Sequence, residues 1–208
     1  MSTTRLVDSS TTLTSMTTII SIVHTKGGVG KTTSAIYLAS AAARSGLETL
    51  VIDSDEQYSA SVWADEAAQR GIGLPFTVTK NPNNVDWDSK ELVLIDTPPG
   101  TSARIDWAVE QADLILIPCG CSPIEVERVW PTLEMTAGKP SAVLLTQVDL
   151  RAKLGAQVRA LLSRESVPTL DTVIPQRQNI RKAFGTLPID LGAYWDAWQE
   201  LEAVVVGV

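Results

Sequence analysis

The stretch His24–Thr33, HTKGGVGKTT, joins two lysines to three glycines, a pattern suited to holding phosphate. Gly27, Gly28 and Gly30 let the backbone turn its N–H groups toward an anion with no Cβ in the way. Lys31 is spaced to reach the β- and γ-phosphates of a nucleotide, and Thr32 to give its hydroxyl to Mg²⁺. Val29 and Thr33 complete the cradle. The ordinary spacing, G-x-x-x-x-G-K-[ST], asks for glycine where this chain has Thr25. Instead an extra lysine, Lys26, stands five residues before Lys31. The loop alone does not say what a second lysine is for.

Two other stretches end apolar runs with carboxylates. TLVIDSD carries Asp53 and Asp55, and LVLIDTPPG carries Asp96 behind four apolar residues. A carboxylate closing a buried run needs a partner. In a nucleotide site the partner is Mg²⁺, a lysine or the attacking water. Asp96 fits the Walker B arrangement, an aspartate that holds Mg²⁺, often through water. Asp53 and Thr32 join it as metal-site candidates. Asp55 reads more readily as a helix N-cap. Thr97 to Gly100 would lie beside the γ-phosphate, where a loop can sense hydrolysis by an order–disorder change.

These residues need a frame that brings them to one edge. TIISIVH (residues 18–24) is β-branched and apolar, as in a strand buried on both faces. A helix rich in alanine follows over 31–45, with Gly46 at its C-terminal end. Strands are expected at TLVIDSD, FTVT, LVLIDTPPG, ADLILIP, SAVLLTQ and TLDTVIP. Helices are expected at SASVWADEAAQRG, at AKLGAQVRALL, and at GAYWDAWQELEAVVV. Leu154, Val158, Leu161 and Leu162 share one face of the second, and Trp198, Leu201 and Val205 are the core contacts of the third. The alternation predicts an α/β fold, a doubly wound, mostly parallel sheet with helices on both faces. Ligands of such sheets sit beyond the carboxyl ends of the strands, where each carboxylate and the glycine loop fall.

Composition sets the outer bounds. The 208 residues suit one domain, over residues 16–208, behind a Ser/Thr-rich tail at 1–15. That tail has no apolar core, so it does not read as a signal peptide; Met16 is an alternative start. At 44% hydrophobic residues the chain has enough for a core. Its net charge of -7 argues against nucleic-acid binding by the surface as a whole. No apolar run reaches the roughly 20 residues of a membrane span. Cys119 and Cys121 are too close for an unstrained disulfide, which suits the reducing cytoplasm.

The set KGGVGKTT, VIDSDEQ and LVLIDTPPG, with weaker matches at IPCGCSP and PQRQNIRKAFG, resembles the deviant Walker A ATPases, in particular the ParA-type partition ATPases of the MinD/ParA superfamily. The likeness runs from Met16 to the end of the chain. It implies a P-loop ATPase that takes ATP and Mg²⁺ and forms an ATP-dependent homodimer. Lys26 would then cross to the phosphates of the partner subunit, as an arginine finger does in trans. Asp53 would position the attacking water. With Lys31 and Asp96, these are the implied catalytic residues. The adenine base would lie against Gln147 and the Pro175, Gln176, Arg177 segment, and the lack of an Asn-Lys-x-Asp sequence favours adenine over guanine. One departure is Glu56, where the family's second motif usually has proline. The chain also has no room for an N-terminal helix-turn-helix, so it resembles the small type.

Charge is segregated. Residues 151–185 hold seven Lys/Arg and two acidic residues, a balance of +5 that leaves -12 for the rest. Arg151, Lys153, Arg159, Arg181 and Lys182 are the DNA-binding candidates. In RQNIRKAFGTL the stripe Ile180, Ala183, Phe184, Leu187 leaves Arg181 and Lys182 pointing away. Taken alone, such a face also reads as ordinary solvated surface; the resemblance implies non-specific DNA binding by the ATP-bound dimer, on the nucleoid, with a centromere-binding ParB-type adaptor as partner. Three alternatives stay open. A protein cargo could replace a plasmid or chromosome. A membrane-associated division-site ATPase would need a basic C-terminal helix, but no Lys or Arg follows Lys182 and the tail carries Asp190, Asp196, Glu200 and Glu202. An iron–sulfur ATPase would use the two cysteines.

Overall fold

A computed structural model describes residues 17–205. The expected tail, the alternative start at Met16 and the side chain of Val205 lie outside the described residues. The chain runs β1 (Thr18–Ile22), α1 (Lys31–Arg44), β2 (Thr49–Asp53), α2 (Ser59–Gln69), β3 (Thr77–Thr79), β4 (Leu92–Asp96), α3 (Ala103–Gln111), β5 (Leu114–Cys119), α4 (Pro123–Glu127), α5 (Val129–Met135), β6 (Ser141–Val148), α6 (Leu154–Arg164), β7 (Thr169–Pro175), α7 (Gln178–Lys182) and α8 (Ala193–Val205).

The seven strands form one sheet in the order β3-β2-β4-β1-β5-β6-β7. Each pairing among the described residues is parallel, so the sheet is wholly rather than mostly parallel. Every residue of β2, β4 and β5 is buried. That is why these strands read as continuous apolar runs instead of alternating ones. Helices cover both faces. On one, α1 and α8 pack Ile36, Leu38, Tyr194 and Trp198 on Ile20, Leu94 and Leu116. On the other, Ile105, Val129, Val158 and Leu162 pack on Ile115, Ile117, Val143 and Leu145.

From β1 the chain moves outward to β2 and β3. It then returns to insert β4 between β2 and β1, and continues to β5 on the far side of β1. The reversal places the carboxyl ends of β2, β4 and β1 side by side, the position where doubly wound sheets bind ligands.

Two local expectations need correction. Leu154, which the period puts on one face with Val158 and Leu162, is 40% exposed. The buried residue of that turn is Gly155, where a Cβ would come within 2.8 Å of Val148 Cγ1. The glycine lets α6 close on β6 and turns Leu154 outward, while Val158 and Leu162 are buried. The helix expected through RQNIRKAFGTL stops at Lys182. Phe184 therefore leaves the helix, half exposed, and lies against Trp63 with ring centroids 5.3 Å apart. Helices α3, α4 and α5 fall outside the helices that the sequence predicts. They are short, and Pro131 interrupts the apolar pattern of α5.

Candidate active site

The loop between β1 and α1 is shaped by two left-handed glycines. Gly28 has φ 78° and Gly30, the N-cap of α1, has φ 95°. A Cβ at either would be strained. Neighbouring strand ends fix the loop. The Gly100 N–H donates to the Thr25 carbonyl at 2.8 Å, which ties the loop after β4 to the phosphate loop. From β6, Thr146 Oγ1 donates to the Val29 carbonyl at 2.8 Å and Gln147 Nε2 to the Gly28 carbonyl at 2.7 Å. Gln147, a candidate for the base, is thus engaged in bracing the glycines.

The two lysines part company. Lys31 is buried and curls over its own loop, with Nζ 3.2 Å from the Lys26 carbonyl and 3.4 Å from that of His24. Burial pulls its pKa down, and the charges of Asp96 and Asp55 pull it back up. Lys26 turns the other way. Its Nζ meets Glu125 Oε1 at 3.0 Å, on the first turn of α4. Its backbone N–H donates to His24 Nδ1 at 2.9 Å. Burial, then Lys31, lowers the His24 pKa to about 4, so the ring is neutral at pH 7.

The register explains the carboxylates. Asp53 lies opposite Asp96 across β2 and β4, and Asp96 opposite Ile22 across β4 and β1. Parallel partners share a side of the sheet, so two buried acids and the start of the phosphate loop converge. Asp53 Oδ2 accepts hydrogen bonds from the Ser61 N–H and hydroxyl, both at 2.8 Å. Its Oδ1, and both oxygens of Asp96, are buried without a protein partner among the described residues. Unpartnered buried carboxylate oxygens are costly unless a ligand completes them. Asp96 and the Thr32 hydroxyl beside it, with Lys31 close by, fit a hydrated Mg²⁺. Asp55 is not an N-cap: Tyr58 holds that position, and Asp55 Oδ1 accepts the Gln57 N–H at 2.9 Å in the preceding turn. Asp53 itself bonds to the first turn of α2.

Burial, then the charge of Asp53, raises the Asp96 pKa to about 7 against the opposing pull of Thr32 and Lys31. The native state therefore holds a proton there that the unfolded chain has released above its ordinary carboxylate value. That contribution to stability is complete at low pH and is lost as pH rises from about 4 to about 7. In metal-free buffer, Asp96→Asn should gain stability relative to wild type across this window, by at most about 4 kcal/mol. Chemical denaturation at pH 4.5 and 7.5 checks it; a pH-independent difference would contradict the placement of Asp96.

Beyond the phosphate loop is a cavity of about 200 Å³. Gly30 and Thr33 of the phosphate loop and α1 line it together with Gln147, Pro175 to Arg177, Trp63, Ile180 and Tyr194. It adjoins a wider cleft of about 550 Å³ in which Arg151, Arg177 and Arg181 come together. The DNA-binding candidates thus divide. Arg151 and Arg181 share the cleft, and Lys182 is exposed on α7 next to it. Lys153 is exposed at the start of α6. Arg159 is drawn to Asp171, donating to its carbonyl at 2.7 Å with the carboxylate 3.6 Å away. Both thiols are free, with Cys119 buried. No cluster of three or more His, Cys, Asp or Glu able to hold a metal occurs among the described residues.

Sequence reasoning missed four contributors: Ser61, His24, Glu125 and Arg104. Arg104 donates to the Ser54 carbonyl at 3.0 Å and reaches Glu56 at 3.7 Å, so Glu56 has a cation where the family pattern has proline. A signal existed for Glu125. Ser122-Pro-Ile-Glu125 is a capping box, and α4 starts with one.

Residues 20–187 match the family described as the CobQ/CobB/MinD/ParA nucleotide binding domain. The chain is 33% identical over 166 residues to the maintenance of carboxysome distribution protein A of Gloeobacter kilaueensis, covering 75% of this chain and 76% of that protein. A candidate plasmid partition protein of Borrelia burgdorferi B31, solved with AMPPNP, superposes with a TM-score of 0.73 at 16% identity, over 90% of this chain and 98% of that one. Cobyrinic acid a,c-diamide synthase of Mycobacterium smegmatis, solved with an ATP analogue and magnesium, gives 0.64 at 18%, over 91% and 96%. At these identities the two structures speak to the fold.

Proposed function

The chain belongs to the CobQ/CobB/MinD/ParA nucleotide-binding family, and on that premise we propose that it is a Mg²⁺-dependent ATPase that dimerises around ATP, binds DNA without sequence preference and distributes a plasmid or chromosome. The partner would be a centromere-binding adaptor of ParB type, which would raise a weak basal rate, as DNA would. The protein would work in the cytoplasm, on the nucleoid when ATP-bound. The observation that carries this reading is the pairing of Asp53 with Asp96, their free oxygens buried beside a loop with two lysines.

Each residue has a distinct task. Lys31 and the N–H groups of the glycine loop hold the phosphates of the subunit's own ATP. Thr32 and Asp96 would hold Mg²⁺, which spreads the charge of the β- and γ-phosphates. Asp53 orients and deprotonates the attacking water through Oδ1, since Ser61 occupies Oδ2. Burial raises the Asp53 pKa, which makes it a better proton acceptor than a solvated carboxylate. Lys26 serves the γ-phosphate of the partner subunit, so two bound subunits are needed for turnover.

DNA would meet the cleft of Arg151, Arg177 and Arg181, with Lys182 beside it. Contacts to phosphate make such binding steep in salt, and dimerisation doubles the number of clefts. Arg181→Ala with Lys182→Ala removes four cations from each dimer, so it should weaken DNA retention and flatten the log–log salt slope by up to about 4, while ATP-dependent dimers persist. An unchanged slope would remove these two residues from the interface.

A second reading is favoured by the 33% identity to a carboxysome distribution protein: the cargo is a protein assembly and the nucleoid only the track. ATP turnover measured with DNA alone, then with candidate adaptors, separates the two. Failure of DNA to bind in Mg-ATP would refute both. Among the described residues no helix is long and apolar enough to cross a membrane. The exposed acids Asp190 and Asp196 would repel an anionic bilayer.

A further inference from the structure

Lys26 is engaged inside its own subunit, and the engagement is built rather than incidental. Its ammonium is 3.0 Å from Glu125 Oε1, with the glutamate side chain 17% and the lysine side chain 35% exposed. The other oxygen, Oε2, accepts the Ser122 hydroxyl at 2.5 Å and the Ser122 N–H at 3.2 Å. The carboxylate fits only because residue 120 is glycine, where a Cβ would come within 2.4 Å of Oε2. Thr25 lies against Thr132 of α5, with its N–H 3.4 Å from Thr132 Oγ1. The first residues of the phosphate loop are thus clamped to the segment after β5.

We propose that Glu125 is a latch. It holds Lys26 in cis in the monomer and must release it before the lysine can cross to the nucleotide of a second copy. This rests on the reading of Lys26 as a trans-acting residue. Dimerisation then exchanges one partner of the ammonium for another: Glu125 is given up and the phosphates are gained. The exchange sets a threshold that ATP must overcome, which keeps nucleotide-free subunits apart. It also couples the site to α4 and α5, because Glu125 caps α4. Release of Lys26 frees the Oε1 side of that cap, so a partner bound to α4 would sense the dimer.

Glu125→Gln separates the ion pair from the cap, since glutamine at this position still completes a capping box. Sedimentation in saturating Mg-AMPPNP reads the dimer without turnover. Each dimer releases two latches, so the dimer Kd of Glu125→Gln should fall by about five- to ten-fold relative to wild type. Ser122→Ala, which weakens the cap but keeps the ion pair, should leave the Kd near wild type. A wild type that dimerises while Glu125→Gln shows an equal or higher Kd overturns the latch and leaves the dimer reading standing. A wild type that stays monomeric removes the dimer reading, and the latch with it.

Discussion

Lys26→Ala should bind ATP with near wild-type affinity, form no ATP-dependent dimer and lose turnover by about 10³-fold or more, the loss typical of removing a cation supplied in trans. The reason lies in the separation of the two lysines. Lys31 is buried against its own loop, so it stays to hold the phosphates of its own subunit. Lys26 points away from that loop, toward Glu125. On the proposed reading its removal therefore spares the local cradle and takes away the charge that would reach the partner subunit. A modest loss of monomer stability, about 1 kcal/mol, comes from stranding Glu125. Equilibrium dialysis with ATP, sedimentation and steady-state turnover read the three consequences separately. Loss of ATP binding equal to that of Lys31→Ala would show that Lys26 acts in cis.

Asp53→Ala is the second large effect. Turnover should fall by about 10²- to 10⁴-fold, as expected when a positioned base is removed, while dimers should form and persist because hydrolysis would no longer dissolve them. Asp53 raises the pKa of Asp96, so its removal also eases ionisation of Asp96. ATP-bound dimers of this variant should outlast those of wild type in a chase with excess ADP. Dimers that decay at the wild-type rate would remove Asp53 from the hydrolytic step.

These residues were legible because each ends a run whose character is set by the sheet. β1, β2 and β4 lie in its interior, their sequences are apolar almost without interruption, and a glycine loop or a carboxylate after such a run is conspicuous. The fold class followed from the same runs. What sequence reasoning could not see is what long-range packing decides. Glu125 meets Lys26 across 99 positions of chain. Ser61 reaches Asp53 because the turn of Asp55 to Tyr58 folds α2 back over the end of β2. Leu154 shares a face with Val158 and Leu162 by period, but Gly155 decides which side of α6 closes on the sheet. The base side was legible only as a segment. Gln147 and Pro175 to Arg177 all line the cavity, but Gln147 is also held by the Gly28 carbonyl and Arg177 also belongs to the basic cleft.

On the proposed reading one active site is built from two subunits, with Asp53 from one and Lys26 from the other. Mixing the two inactive variants tests it most directly. A heterodimer of Lys26→Ala with Asp53→Ala contains one site that has both Asp53 and a Lys26 reaching across. Equal mixing should therefore restore ATP turnover to at most about half of wild type, since one of the two sites in each heterodimer is complete. A mixture no more active than its two components would mean that both residues serve the same subunit, and the shared-site account would be wrong.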